Sequence, residues 1–350
     1  MDPWKLKAGG SELTVVEELT LLDGARAAAR SLEVSLTFRC GNRCISCPLP
    51  LTGKDVPAGV VPSALKDYAQ RRGRLIREMD LILTGGEPAL AKGFLDAARL
   101  GLDLGFRSVS LTSSAYLFAD PRLSASVLDA GIRRLFLSFH SHRPAVYDKL
   151  TGTTGRFRKA VSGIERCLSL PFEQVTCNMV LNRHNYRDVP GHARFLARLK
   201  ERSGGTTPLA LFLSTLEENP AWESLAVPHS KAAPFILKAA AEGAVPIRRF
   251  TGDWAFPLCV GGMAAVAPRL APEGRRDTPA WYAPSGWDPA QDPAPQDFIR
   301  VKAQACRACP LDPVCAGLSR VYANAFGVGE LSAAPRRPKA RPGGRRIYAS

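Results

Sequence analysis

Along the first two-thirds of the chain, short blocks of alternating or continuous apolar residues are each followed by a longer stretch with helical spacing. "LEVSLTF" (32–38) alternates β-branched and apolar residues with polar ones, which is the period of a strand. "MDLILTGGEP" (79–88) is an apolar run that stops at two glycines, and "FLDAARLGLDLG" after it has the spacing of a helix. "SVSLTSS" (108–114) reads as the next strand, and "SASVLDAG" as its helix with Gly131 as the stop signal. "RLFLSFH" (134–140), "EQVTCNMVL" (173–181) and "PLALFLST" (208–215) complete six strands alternating with helices. Apolar strands separated by helices predict an α/β protein whose parallel sheet is wholly or partly closed into a barrel over 32–216.

The flanks read differently. Residues 1–31 are expected to form a short helical extension, too small for a domain. After "LEENPAW" prolines accumulate and periodicity fades, so 217–330 is expected to be a smaller, irregular domain. Residues 331–350 form a basic, Pro- and Gly-rich tail carrying Arg336, Arg337, Lys339, Arg341, Arg345 and Arg346, and are expected to be disordered.

With 350 residues, 45% of them apolar, the chain buries a full core without staples. It shows no signal-peptide pattern and no membrane-length apolar run, which predicts a cytoplasmic protein with no membrane partner. In that compartment nine cysteines point to metal binding or catalysis, not to disulfides. The net charge of +15 admits a nucleic-acid partner, without favouring one over ordinary solvation of a basic surface.

Two cysteine groups change the picture. In "FRCGNRCISCPLP", Cys40, Cys44 and Cys47 stand at gaps of three and two residues. Zinc prefers four tetrahedral ligands, so this loop alone does not close a zinc site unless His140 or His142 is recruited from afar. A 4Fe–4S cube has four iron corners, and three thiolates leave one iron open to an outside ligand. The loop follows the first strand of the barrel, where ligand sites of such folds gather. Cys40-x3-Cys44-x2-Cys47 at this position resembles the radical S-adenosylmethionine (SAM) superfamily, and Gly85-Gly86-Glu87-Pro88 at the end of the second strand resembles that family's GGEP motif.

The resemblance covers about residues 32–216 and implies a partial (β/α)6 TIM-like barrel. It implies that Cys40, Cys44 and Cys47 hold a 4Fe–4S cluster whose open iron is chelated by SAM. Gly85, Gly86, Glu87 and Pro88 would contact the methionine amino group, with Thr112, Ser138 and Asn178 also lying near SAM. Reductive cleavage of SAM would then yield methionine and a 5′-deoxyadenosyl radical that takes a hydrogen atom from substrate. Ser46 departs from the bulky residue common before the third cysteine, so Ile45 or Leu49 is expected to supply the apolar contact to adenine.

The second group is Cys306-x2-Cys309-x5-Cys315, with Cys259 upstream. Four thiolates in a weakly patterned domain suit zinc or an iron–sulfur cluster as its core. The run resembles the auxiliary-cluster segment of SPASM and twitch domains, which implies one auxiliary 4Fe–4S cluster passing electrons. Ser319 stands where the full SPASM pattern has a further cysteine, so twitch-like is the closer description. Gly317, Tyr322 and Gly327 would shape the fold around it.

Other residues carry lesser expectations. His140 and His142 sit at strand spacing and are candidates to handle a proton during turnover. Tyr147, Asp148 and Gly152 resemble a stretch that organises a loop in auxiliary-cluster members. Cys167 and Cys177 read as buried small apolar residues, with Cys177 expected to face into the barrel. The expected function is a radical SAM oxidoreductase or maturase that matures ribosomally made peptides or oxidises a small molecule. Its reducing partner would be an external electron donor such as flavodoxin or ferredoxin. The alternatives are a radical SAM enzyme acting on RNA and a non-catalytic zinc or iron–sulfur protein.

Overall fold

Six strands, β1 (Ser31–Ser35), β2 (Asp80–Thr84), β3 (Ser108–Ser114), β4 (Arg134–Ser138), β5 (Gln174–Val180) and β6 (Leu209–Ser214), pair side by side in chain order, all parallel. The computed structural model describes residues 31–49, 51–57, 59–247, 257, 259–263, 301–310 and 317–332 with side chains, and residue 300 by its backbone. For 5–8, 11–16, 20–22, 25–27, 248, 264–265 and 279–284 it describes the backbone alone. The connections carry α1 (Val60–Arg72), α2 (Phe94–Asp103), α3 (Pro121–Asp129), α4 (Pro144–Thr151), α5 (Phe157–Ser169) and α6 (Val189–Ser203). This is the partial parallel barrel expected from the alternation.

The strands sort their side chains by parity. Leu81 and Leu83, Val109 and Leu111, Leu135 and Leu137, Val175 and Cys177, and Leu211 and Leu213 all lie under the helices with 0–2% exposure. Each large aliphatic side chain so buried contributes roughly 1.5–3 kcal/mol. The helices press close: a Cβ on Gly101 of α2 would meet Leu81 Cδ2 at 2.4 Å. Residues of the opposite parity face the concave side, where the Phe136 and Phe212 rings meet edge to face at 5.2 Å across the intervening β5.

Two boundaries differ from expectation. The described parts of 5–27 are short strands, not a helix: 5–8 pairs antiparallel with 11–16, and 20–22 with 25–27. "SELTVV" alternates with β-branched residues, a pattern that suits a pleated ribbon better than a helix. The α/β order also runs past residue 216. α7 (His229–Glu242) packs on α6, and β7 (Ile247–Arg248) adds in parallel to β6. Pro234 lies inside α7 and masks its helical signal in the sequence. At the other edge, 279–284 pairs in parallel with β1 and antiparallel with 11–16.

A second, small core gathers Trp222 and Ala226, which precede α7, with Leu318, Tyr322 and Leu331, which follow it. Tyr322, on α8 (Arg320–Phe326), stacks on His229 at 4.1 Å; its hydroxyl accepts from the His229 N–H and donates to Glu330. Gly317 holds φ at 83°, and a Cβ there would meet the Val301 carbonyl oxygen at 2.5 Å. Among the described residues no helix is long and apolar enough to cross a membrane. The tail beyond 332 lies outside the described residues.

Candidate functional site

The cysteine loop leaves the carboxyl end of β1 and is held from both sides. On one side the Arg43 N–H donates to the Thr151 carbonyl at 2.9 Å, and the Ile45 N–H to that of Leu150 at 3.0 Å. Gly152 ends α4 at φ 60°, and a Cβ there would meet the Arg43 carbonyl oxygen at 2.2 Å. Asp148 fixes the turn that follows by accepting from the Gly155 N–H at 2.6 Å. Arg156 then reaches back, donating to the Gly41 carbonyl and to Asn42 Oδ1, each at 2.7 Å. Its guanidinium lies 4.4 Å above the Tyr116 ring. Asn42 donates to Ser114 Oγ at 3.2 Å, and its own N–H points at Cys40 Sγ, 3.4 Å away.

On the other side stands the Gly85–Pro88 turn. The Gly86 and Glu87 N–H groups donate to the Thr37 and Arg39 carbonyls, each at 2.7 Å. A Cβ on Gly85 would meet the Thr37 oxygen at 2.6 Å, and one on Gly86 the Arg39 oxygen at 2.4 Å. The glycines are therefore required for the turn to lie against the chain entering Cys40. With those N–H groups committed, the turn offers a ligand carbonyl oxygen, the acceptor an ammonium needs. The Glu87 side chain offers nothing outward. Fully buried, it accepts from Ser113 Oγ at 2.7 Å and the Ser114 N–H at 2.8 Å. This carboxyl braces β3 to the turn, which leaves the expected contact with SAM to the turn's backbone. Burial raises its pKa, opposed by those hydrogen bonds.

The three thiols lie on one loop, each partly exposed. Burial pushes the Cys44 thiol up to about 12, and the nearby Cys47 and Cys40 push in the same direction. Cys40 and Cys47 are also raised, first by burial. Three thiolates so placed repel one another, and positive charge among them removes the penalty. Among the described residues no three His, Cys, Asp or Glu side chains gather closely enough to share one metal ion. A cluster whose irons occupy separate corners does not require its thiolates to converge on one point.

Above the concave face, register sets Ser114 beside Ser138 and Ser138 beside Asn178. Asn178 Oδ1 accepts from Ser214 Oγ at 2.6 Å. Thr112 pairs with Phe136, one tier deeper. Ser138 and Asn178 thus share a level with the cysteine loop's partner Ser114, and Thr112 lies below them.

His140 and His142, the expected proton-handling candidates, lie just beyond the end of β4. His140 is buried, its Nδ1 accepts from the Val180 N–H at 3.3 Å, and burial lowers its pKa to about 4. His142 turns to the helix layer, 5.9 Å from the His192 ring and against Gly191, and burial lowers its pKa also. Burial thus favours the neutral form of both. Cys177 is corrected: it pairs with Leu137 and Leu211 on the helix-facing side, near Cys167.

In the second group, Cys259 and Cys306 both pack on the small core of Trp222 and Tyr322. The Cys309 N–H donates to the Cys306 carbonyl at 2.9 Å. Cys315 lies outside the described residues. Sequence reasoning did not find Arg156, Tyr116 or Asn42. A lone arginine 115 positions from its acceptor carries no local pattern.

The radical SAM superfamily profile matches residues 34–196. A GTP 3',8-cyclase of Desulforamulus reducens is 26% identical over 190 residues, 50% of this chain and 57% of that protein. An AdoMet-dependent heme synthase of Methanosarcina barkeri is 29% identical over 164 residues, 46% of this chain and 45% of that protein. The chain thus spans about half the length of these curated relatives. The solved structure of native anSMEcpe with bound AdoMet and Cp18Cys peptide superposes with a TM-score of 0.51 at 13% identity, covering 87% of this chain and 93% of that one. That likeness is one of fold.

Proposed function

We propose, from the match of residues 34–196 to the radical SAM superfamily, that the protein is a radical SAM oxidoreductase or maturase. The observation that carries the reading is the cysteine loop clamped between the Gly85–Pro88 turn and the α4–α5 connection. Cys40, Cys44 and Cys47 would hold the 4Fe–4S cluster. The Gly85 and Gly86 carbonyls, Ser138 and Asn178 would orient SAM, with Ile45 or Leu49 against its adenine. When bound, the cluster and SAM supply one-electron chemistry, ending in a carbon radical that takes a hydrogen atom from substrate.

This chain's own residues do the positioning. Arg156 and Gly152 keep the loop's backbone fixed, Asn42 points an N–H at Cys40 Sγ, and Glu87 locks β3 to the turn. The concave face receives the substrate and excludes stray hydrogen donors. Cys259, Cys306, Cys309 and Cys315 would hold one auxiliary 4Fe–4S cluster that passes electrons from a flavodoxin or ferredoxin. Shared packing of Cys259 and Cys306 on one small core supports this.

The substrate is a small molecule that is oxidised, or a peptide that is matured. The names of the relatives, a GTP cyclase and a heme synthase, lend support to small-molecule chemistry. Anaerobic reconstitution tests the reading. The parent should take up iron and sulfide, turn brown and cleave SAM when given a reductant. Cys44→Ala should lose that cleavage. Colourless protein holding zinc, or undiminished cleavage by Cys44→Ala, overturns it.

A further inference from the structure

Strand register places one acidic side chain inside the barrel with no counter-charge among the described residues. Glu33 lies between Leu32 and Val34, which face the helices, and so belongs to the concave face. It pairs in register with Ile82, and Ile82 with Ser110. The Thr84 side chain hydrogen-bonds to it. The residue is partly exposed, and its place on the strand puts the carboxyl low on the concave face.

The other charged side chains of this parity in β1–β6 are placed differently. Asp80 and Arg134 lie at the amino-terminal ends of their strands and have partners of their own, Arg107 and Glu173. Among the described residues no cation offsets Glu33, and burial pushes its pKa up to about 7. A carboxyl held this way is costly unless a cation completes the pair. Around and above it the face is hydroxyl-rich, with Thr84, Ser110, Thr112 and Thr176, and is crossed by the Phe136–Phe212 pair. Such a lining suits an amine on an apolar or hydroxylated frame. It is unsuited to phosphate or carboxylate, which need cations.

Depth narrows the class. Thr37 meets the Gly86 turn, and Glu33 lies four residues below it on the same strand, about 13 Å at the rise of a strand. That is about the full combined reach of an extended lysine and of Glu33 itself, so an amine that enters whole fits this depth with less demand than a lysine on a peptide lying across the mouth.

We propose that Glu33 is a substrate-contacting residue that pairs with the ammonium group of a small-molecule amine, an inference that rests on the radical SAM reading of this barrel. The test uses reconstituted full-length protein with SAM and no reductant, titrated with cyclohexylamine, cyclohexanol and cyclohexanecarboxylate. The parent should bind the amine ~10-fold or more tighter than the carboxylate. Glu33→Gln should bring the ratio close to one, and Glu33→Asp should keep its sign. Thermal melting followed by circular dichroism establishes that each variant is folded. A parent that does not prefer the amine, or a preference unchanged in Glu33→Gln, overturns the proposal. Tighter binding of acetyl-Gly-Lys-Gly-amide than of cyclohexylamine overturns the small-molecule assignment. Reductant-driven SAM cleavage by the parent is measured separately, so failure of the radical SAM reading and failure of the amine preference are distinguishable.

Discussion

At Gly152 a single missing Cβ decides whether the cysteine loop closes. A methyl group there would sit 2.2 Å from the Arg43 oxygen, on a backbone whose φ of 60° L side chains seldom adopt. Gly152→Ala should lower stability by about 1–3 kcal/mol, read from urea melts, and reduce iron uptake on reconstitution. Glu33 gives a second prediction at this scale. Its pKa rises from 4.5 to about 7 on folding, so the folded state holds its proton more tightly than the unfolded chain. The associated stability is present below pH 4.5 and fades as pH climbs through 7. Melting temperatures of the parent minus those of Glu33→Gln should therefore fall across that window; a flat difference would show Glu33 to be ordinarily solvated.

Between elements, the joint that matters is the turn after β2, which ties β3 and the cysteine loop together. Its glycines press on Thr37 and Arg39, and Glu87 closes the arrangement from beneath. Glu87→Gln puts an amide donor where one oxygen accepts, facing the Ser114 N–H or the Ser113 hydroxyl. It should cost about 1–3 kcal/mol, measured by chemical denaturation; a smaller loss would mean the brace is dispensable. This joint was legible in the sequence as a motif, but not as a mechanism. The motif pointed to backbone contact with a ligand and said nothing of where the Glu87 side chain goes, which is into the protein. The strands were legible because β-branched alternation and apolar runs have a period of their own. β7 and α7 were not, since a two-residue strand has no period and Pro234 interrupts the helix. The Arg156 clamp was invisible because its acceptors, Gly41 and Asn42, are distant in sequence and close only in the fold.

For the molecule as a whole, the barrel and the C-terminal segment meet where Cys259 touches both hydrophobic cores. If Cys259 and Cys306 serve one auxiliary cluster, Cys306→Ala should lower iron per chain by about half on reconstitution, with loss of melting cooperativity in the segment around Tyr322. Unchanged iron content would remove that cluster from the picture. The grip of Leu150, Thr151 and Arg156 on residues 41–45 reaches further than the site itself. On the proposed reading, it would turn a surface connection between two helices into part of the template on which metal is assembled. A circular permutant with new termini opened between Gly152 and Arg156 should therefore still build its sheet, yet lose the scaffold that receives iron and sulfide.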